Sequence, residues 1–193
     1  MQAIVRPMSI EPSNAGHTIR RLHTLGEAHV RELAELLIDC VDGGASVSFM
    51  HPLSPAKACD FWGRVAAEVS QGRRALLVAE DARGIAGTVQ LILDQPENQP
   101  HRADLSKMLV HRRARRRGLG EALLRAAERL ARECGKSLLV LDTASGDAER
   151  LYAKLGWQRS GVIPGYALWP RGGLCDTTVF YRALADLEPV SAG

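Results

Sequence analysis

The stretch that decides the fold reads LVHRRARRRGLG and covers residues 109–120. It joins a run of strand character, 103–110, to an amphipathic run, 118–134, whose apolar residues recur every three or four positions. A glycine-rich turn between a strand and a helix can present backbone N–H groups and the helix N-terminus to an anion. The five arginines of this turn oppose the helix macrodipole, and a bound anion would offset them. We therefore predict a phosphate-binding turn centred on Gly118 and Gly120.

The segments on both sides of the turn predict an α/β fold. The apolar run 138–141 is typical of a strand buried on both faces, and the helix before it predicts that this strand is parallel to 103–110. The order is β-α-α-β-β-β-α-β-α-β-β, which predicts a mixed central sheet flanked by helices. The predicted elements are strand 18–23, helices 30–41 and 55–71, strands 75–80, 85–93 and 103–110, helix 118–134, strand 137–142, helix 147–155, and strands 158–163 and 177–182.

Length and composition predict one domain. The chain has 193 residues with a formal net charge of +3, and we expect a flexible leader at 1–17 and a single domain at 18–193. The four cysteines show no metal-ligand spacing, which favours a reduced, cytoplasmic protein without a metal site. No apolar run approaches the length of a membrane span, so we expect no membrane partner. The sequence allows a homodimer.

Other phosphate-binding motifs fit the turn less well. The P-loop pattern is absent. Gly118 and Gly120 match the first two glycines of the dinucleotide-binding fingerprint, but Leu123 occupies the position of the third. A nucleic-acid-binding module could use the arginines for phosphate contacts, but one basic loop is a small footprint. We therefore expect no nucleic-acid partner and keep a basic-loop nucleic-acid module as the alternative.

Two motifs resemble the GNAT acetyltransferase family. Residues 110–120 read VHRRARRRGLG, similar to the family's Arg-x-x-Gly-x-Gly turn after a strand. Residues 148–157 read AERLYAKLGW, similar to the family's Ala-x-x-x-Tyr-x-x-x-Gly-Phe stretch, with Trp157 in the place of Phe. The resemblance covers 18–182 and implies a GNAT fold whose sheet is splayed at strand 103–110. It also implies acetyl-CoA as the co-substrate, and a non-enzymatic acyl-CoA-binding module is a further alternative.

The resemblance implies which residues hold acetyl-CoA. The turn would bind the pyrophosphate, and the strand would pair with pantetheine at a bulge near Leu109 or Val110, where a backbone N–H would meet the oxyanion. Ser145 stands where the family often has an asparagine. The implied cofactor-binding residues are Met108, Leu109, Val110, Arg115, Arg116, Arg117, Gly118, Leu119, Gly120, Glu121 and Ser145.

The proton transfers that acetylation of an amine requires indicate which residues are catalytic candidates. An alkyl ammonium has a pKa of about 10.4, so a base must remove its proton at neutral pH. Asp104 shares a strand face with Ser106, Met108 and Val110 by simple alternation, and Asp142 closes the next strand, so both could reach a cleft between the strands. The narrower resemblance given in the next paragraph implies that these two acids are the base candidates. A partner of Arg102 or Lys107 is an equally good interpretation of Asp104, and a helix or loop cap is an equally good interpretation of Asp142. Tyr152 occupies the position of the family's general acid, and packing of its helix against the sheet is the alternative.

A narrower resemblance concerns the acceptor. Residues 43–50, 141–143 and 164–166 are similar to tabtoxin-resistance acetyltransferases, which acetylate a β-lactam toxin. This resemblance implies a small amine acceptor, amino acid-like or an antibiotic or toxin, and a role in resistance. Candidates for the acceptor pocket are His51, Trp157, Tyr166 and Trp169.

Overall fold

The protein is represented by a computed structural model that describes residues 11–12 and 16–184. The expected leader at 1–17 therefore falls almost entirely outside the described residues. Glu11 and Pro12 form a two-residue strand that pairs with Thr18 and Ile19.

The element order confirms the predicted α/β fold. After the short β1 (Glu11–Pro12), the chain runs in the predicted order of strands and helices, with one added 3₁₀ turn at Arg112–Ala114. The remaining elements are β2 (Thr18–Leu22), α1 (Glu27–Asp42), α2 (Pro55–Ser70), β3 (Arg74–Asp81), β4 (Gly84–Ile92), β5 (Arg102–Val110), α3 (Leu119–Glu133), β6 (Leu138–Thr143), α4 (Gly146–Lys154), β7 (Gln158–Leu168) and β8 (Leu174–Ala183).

The strands form one mixed sheet in the order β1-β2-β3-β4-β5-β6-β8-β7. All neighbours are antiparallel except β5 and β6, which the α3 crossover makes parallel. The last two strands are both longer than predicted, and Pro164 and Gly165 do not end β7. The register between β7 and β8 is irregular from Ile163 to Ala167, which accommodates Pro164 and Gly165. An edge strand such as β7 tolerates this irregularity because it needs hydrogen bonds on one side only.

Helices cover both faces of the sheet. One core cluster lies under α3 and includes Leu123 and Leu130, and the other lies under α1 and α2 and includes Leu37 and Trp62. Gly87 of β4 allows α3 to approach closely, because a Cβ there would lie 2.9 Å from a methyl carbon of Leu123. The two clusters hold the sheet between helices and fix the position of α3 relative to β4 and β5.

The sheet is splayed between β5 and β6. Their parallel pairing covers only Arg102–Asp104 opposite Leu138–Val140, while β6 continues to pair with β8 as far as Thr143. Beyond Asp104, β5 stays paired with β4 alone. The predicted splay is therefore present, and it leaves one side of β5 open.

A bulge in β5 lies just before the predicted position. Thr88 pairs with Leu109 and Gln90 pairs with Ser106, so β5 carries one extra residue at Lys107–Met108 rather than at Leu109 or Val110. Lys107 has a φ of +49°, in the left-handed region. The extra residue reverses the alternation of side chains along the strand, which simple counting from the sequence cannot show.

Truncation of the α3 core tests this packing. Leu123 is fully buried, and Leu123→Ala should lower the free energy of unfolding by about 3 kcal/mol, because it removes packed methyl groups and leaves a cavity. Urea unfolding measures the change. Leu174→Ala is the matched control, since Leu174 is 71% exposed, and its cost should stay within about 0.5 kcal/mol. Equal losses for the two variants would contradict the assigned core.

Candidate active site

A cavity of about 1230 Å³ opens where β5 and β6 separate. Its walls are β5 from Leu105 to Val110, the first turns of α3 and α4, the loop 43–50, and the segment 166–169 at the end of β7. The cavity brings together most of the residues that the sequence nominated.

The first turn of α3 forms an anion-binding surface. Gly118 begins the helix with a φ of +79°, and the first intrahelical bond runs from the Ala122 N–H to the Gly118 carbonyl, at 3.0 Å. The N–H groups of Leu119, Gly120 and Glu121 therefore have no acceptor within the helix. A Cβ on Gly120 would lie 3.3 Å from a methyl carbon of Leu151 in α4. The space between the two helices is therefore narrow here, and glycine leaves it open.

Two of the five arginines anchor the turn to the protein. The Arg112 backbone N–H and its guanidinium both bind the Asp39 carboxylate, at 2.9 and 2.8 Å. Burial raises the pKa of Asp39, but these hydrogen bonds and the charges of His111 and Arg112 outweigh it and lower that pKa below its usual value. Arg113 pairs with Asp81. Each of these two cations is paired with a carboxylate of the protein, which reduces the charge open to a nucleic acid.

The other three arginines differ in what they reach. Arg115 lines the cavity and donates from Nε to the Val110 carbonyl at 3.0 Å. Arg116 also lines the cavity, is well exposed, and has Nη1 3.6 Å from Asp147. Arg117 is exposed but lies outside the cavity lining, so the structure does not bring it to the predicted cofactor site.

The remaining predicted cofactor residues all lie at the cavity, but two have side chains engaged elsewhere. The Glu121 carboxylate binds Lys154 at 2.8 Å and Arg125 at 3.0 Å, and these cations lower the pKa of Glu121. The Ser145 hydroxyl caps α4 by accepting from the Ala148 N–H at 3.4 Å. The residues that contribute strand or helix backbone are Met108, Leu109, Val110, Leu119 and Gly120.

Tyr152 and Asp142 lie together at the cavity. Tyr152 is 4% exposed and packs against Trp157 and Phe180, at ring-centroid distances of 5.7 and 5.6 Å. Burial, and then the nearby Asp142 charge, raise the pKa of Tyr152 well above its usual value. Asp142 is exposed to the cavity, and its Oδ2 accepts a hydrogen bond from the Thr177 hydroxyl at 2.8 Å. The cavity therefore holds a protonated phenol and an accessible carboxylate.

Asp104 does not reach the cavity, contrary to the expectation from strand alternation. Its carboxylate binds Arg102 at 2.7 Å and Gln95 at 3.2 Å, and it is absent from the cavity lining. Asp104 lies in the part of β5 that is still paired with β6, opposite Val140, and the cavity begins beyond this pairing, at Leu105. The bulge also changes the strand face: Ala103 and Leu105 belong to the α3 cluster, and after the extra residue Met108 and Val110 contact that same cluster, so Asp104 does not share their face.

Two of the four aromatic candidates for the acceptor pocket line the cavity, and two do not. Tyr166 and Trp169 line the cavity and are 57% and 39% exposed. Trp157 is instead a core residue that donates to Glu128 at 2.8 Å. His51 pairs with Asp42 at 3.1 Å, outside the lining.

The cavity lining includes polar residues that the sequence did not nominate individually, among them Lys107, Ser48 and Thr177. The Lys107 ammonium lies 3.1 Å from the Ser48 hydroxyl. A lysine near the middle of a strand, between Ser106 and Met108, was the available signal, but the bulge that turns it into the cavity leaves no trace in the pattern.

Within the part of the chain that the structure describes, no group of three or more His, Cys, Asp or Glu side chains could hold a metal ion. None of the described helices is long and apolar enough to cross a membrane.

Comparisons with known proteins agree with this geometry. The model of the acetyltransferase (GNAT) family matches residues 31–157. Human N-acetyltransferase 8 is 32% identical over 97 residues, which are 49% of this chain and 42% of that protein. The chain therefore spans less than half the length of this curated relative.

Solved structures share the fold. A phosphinothricin acetyltransferase from Sinorhizobium meliloti, determined with acetyl-CoA, is 21% identical with a TM-score of 0.74, covering 91% of this chain and 94% of its own. An N-acetyltransferase from Staphylococcus aureus is 16% identical with a TM-score of 0.72, covering 88% and 99%. A ribosomal-protein-alanine N-acetyltransferase from Brucella melitensis is 21% identical with a TM-score of 0.69, covering 86% and 98%.

The raised pKa of Tyr152 can be tested by spectrophotometric titration. In the native protein, Tyr152→Phe should leave the tyrosinate absorbance that develops between about pH 9 and 11 unchanged, because the buried phenol does not ionise there. The same variant in denaturant is the control and should lose one third of the signal, since the chain has three tyrosines. A loss of that size in the native protein would show that Tyr152 ionises normally.

Proposed function

Because this chain belongs to the GNAT acetyltransferase family, we propose that it transfers the acetyl group of acetyl-CoA directly to the primary amine of a small molecule. The observation that carries the proposal is that one cavity joins the open first turn of α3 to the pair Tyr152 and Asp142. An anion site alone would fit a binding protein, whereas a proton donor and a proton acceptor beside it fit group transfer.

The residues present fit acetyl-CoA. The first-turn N–H groups of α3 and the side chains of Arg115 and Arg116 would hold the pyrophosphate, since helix N-termini and guanidinium groups both favour phosphate oxygens. The side of β5 that β6 leaves unpaired would hold the pantetheine amides. When bound, acetyl-CoA supplies the acetyl thioester.

The β5 backbone supports an oxyanion site at Val110. The Val110 carbonyl accepts from Arg115 at 3.0 Å and from the Cys40 thiol at 3.7 Å. The N–H and C=O of one strand residue point to the same side, so the Val110 N–H also faces away from β4 and toward the open side of β5. An N–H there would stabilise the negative oxygen of a tetrahedral intermediate.

Two side chains would move the protons. Asp142 accepts a proton from the acceptor ammonium, directly or through a water, while Thr177 orients its carboxylate. Tyr152 donates its proton to the departing thiolate, since burial keeps the phenol protonated at neutral pH. The nitrogen passes from an ammonium to an amide, so it gains the acetyl group and loses two protons. One of them is released to water, and the other replaces the proton that Tyr152 gives to the sulfur.

We infer a small acceptor from the shape of the site and from the resemblance to tabtoxin-resistance enzymes. The loop 43–50 and the segment 166–169 at the end of β7 line the acceptor side of the cavity with hydroxyl, apolar and aromatic side chains. One similar structure is named for phosphinothricin, which supports an amino acid-like or antibiotic acceptor and a role in resistance. A cytoplasmic enzyme acting alone or as a homodimer is consistent with this role.

A charge reversal in the α3 turn tests cofactor binding. Gly120→Glu should abolish the heat of acetyl-CoA binding in isothermal titration, because a carboxylate would stand at the pyrophosphate surface and its Cβ would crowd Leu151. Gly63→Glu makes the same change at an open site on α2 and should bind as the wild type does. No heat with the wild type would overturn the proposal.

Matched substitutions test the proton transfers. Asp142→Asn and Tyr152→Phe should each lower kcat by about 10²-fold or more, with little change in acetyl-CoA affinity, because they remove a proton acceptor and a proton donor. Asp104→Asn is the matched control, since Asp104 lies outside the cavity, and should retain turnover. A thiol-release assay with an amine panel measures all three. A wild type that binds acetyl-CoA but releases no thiol with any amine would indicate a non-enzymatic binding module.

A further inference from the structure

Lys107 stands out among the cavity residues that the proposed reaction does not use. It occupies the β5 bulge with a φ of +49°, and its ammonium lies 3.1 Å from the Ser48 hydroxyl and 5.8 Å from the centre of the Phe61 ring. Ser48 is itself in the left-handed region, with a φ of +74°. Two unfavourable backbone conformations thus meet at one contact on the cavity wall, and such strain is concentrated at functional sites.

The charge of Lys107 has no close counter-ion. Over residues 16–184, no carboxylate oxygen is placed within 4.0 Å of its ammonium, although the side chain is half-buried. Burial, and then the charge of Arg74, lower the pKa of Lys107, and the charge of Asp142 opposes them. Arg74 already has a carboxylate partner in Glu68, at 2.6 Å. A desolvated cation facing a cavity is stabilised when an anion enters that cavity.

Lys107 and Asp142 give the acceptor side a positive and a negative group. Both line the same cavity, Lys107 from the bulge of β5 and Asp142 from the end of β6. A molecule with an ammonium and an anionic group complements both charges, since the ammonium suits Asp142 and the anion suits Lys107. A polyamine carries only positive charge and would be repelled by Lys107.

Given the proposed acetyltransferase function, on which this inference rests, we propose that Lys107 binds an anionic group of the acceptor. The acceptor is then a zwitterionic, amino acid-like amine. Lys107 is a specificity-determining residue, because it touches the substrate away from the reacting nitrogen. The Ser48 hydroxyl and the Phe61 ring hold the ammonium in the orientation that faces the cavity.

Paired acceptors test this assignment. Each pair consists of an amino acid and its carboxamide, which has the same amine but no anion, and the panel is completed with polyamines. The wild type should acetylate the amino acid of the preferred pair with a kcat/KM about 10- to 100-fold above that of the carboxamide. Lys107→Met should lower the kcat/KM of the amino acid by a similar factor and leave that of the carboxamide within about threefold.

Three controls separate the role of the charge from damage to the fold. Lys107→Met should bind acetyl-CoA with wild-type affinity in isothermal titration. Lys107→Arg should restore part of the preference for the amino acid, because the charge returns. Lys57→Met removes a lysine that lies 6.0 Å from the centre of the neighbouring Phe49 ring but outside the cavity, and should leave the preference unchanged.

Each adverse result has a distinct meaning. Equal kcat/KM values for amino acids and carboxamides, or a preference for polyamines, would overturn the role of Lys107 and leave the acetyltransferase proposal standing. Binding of acetyl-CoA without acetylation of any amine would overturn both. An acetyl group found on Lys107 by mass spectrometry, after incubation with acetyl-CoA alone, would make Lys107 an acceptor and overturn its role in recognition.

Discussion

The early end of the parallel pairing between β5 and β6 is the constraint on which the site depends. The two strands share register only at Arg102–Asp104 and Leu138–Val140. Full pairing would give the backbone groups of β5 partners on both sides and close the cavity. β6 pairs with β8 along its whole length but with β5 only as far as Asp104, so β5 keeps an open side, and the α3 crossover holds the helix N-terminus next to that opening.

The arginine turn shows how one cluster of like charges can serve two purposes. Arg112 and Arg113 are bound by Asp39 and Asp81 and fasten the turn to α1 and to the β3–β4 hairpin. Arg115 holds the end of β5. Fixed in this way, the turn presents the backbone donors of α3 without rearrangement, so the ordering cost falls on folding and not on ligand binding.

The cavity also separates charges that would neutralise each other in direct contact. Tyr152 is kept neutral by burial, Asp142 is exposed and held by Thr177, and the half-buried Lys107 lies against Ser48 and Phe61. Each group is fixed by packing or by one hydrogen bond from the protein. The arrangement leaves a proton donor, a proton acceptor and a cation available to molecules that enter the cavity.

The order of the elements, the parallel crossover and the turn at Gly118 and Gly120 follow from the sequence alone. Hydrophobic periodicity, caps and glycines act over a few residues, so they can be read from the chain. A motif and the end of a buried strand also nominated Tyr152 and Asp142, and both line the cavity. Which polar side chains face the cavity depends on the tertiary structure. The bulge at Lys107–Met108 reverses the alternation of β5 and leaves Lys107 at the opening, while Asp104 lies in the part of β5 that is paired with β6 and binds Arg102. One extra residue is stable there because β4 and β5 pair on both sides of it, and such long-range pairing leaves no local signal in the sequence.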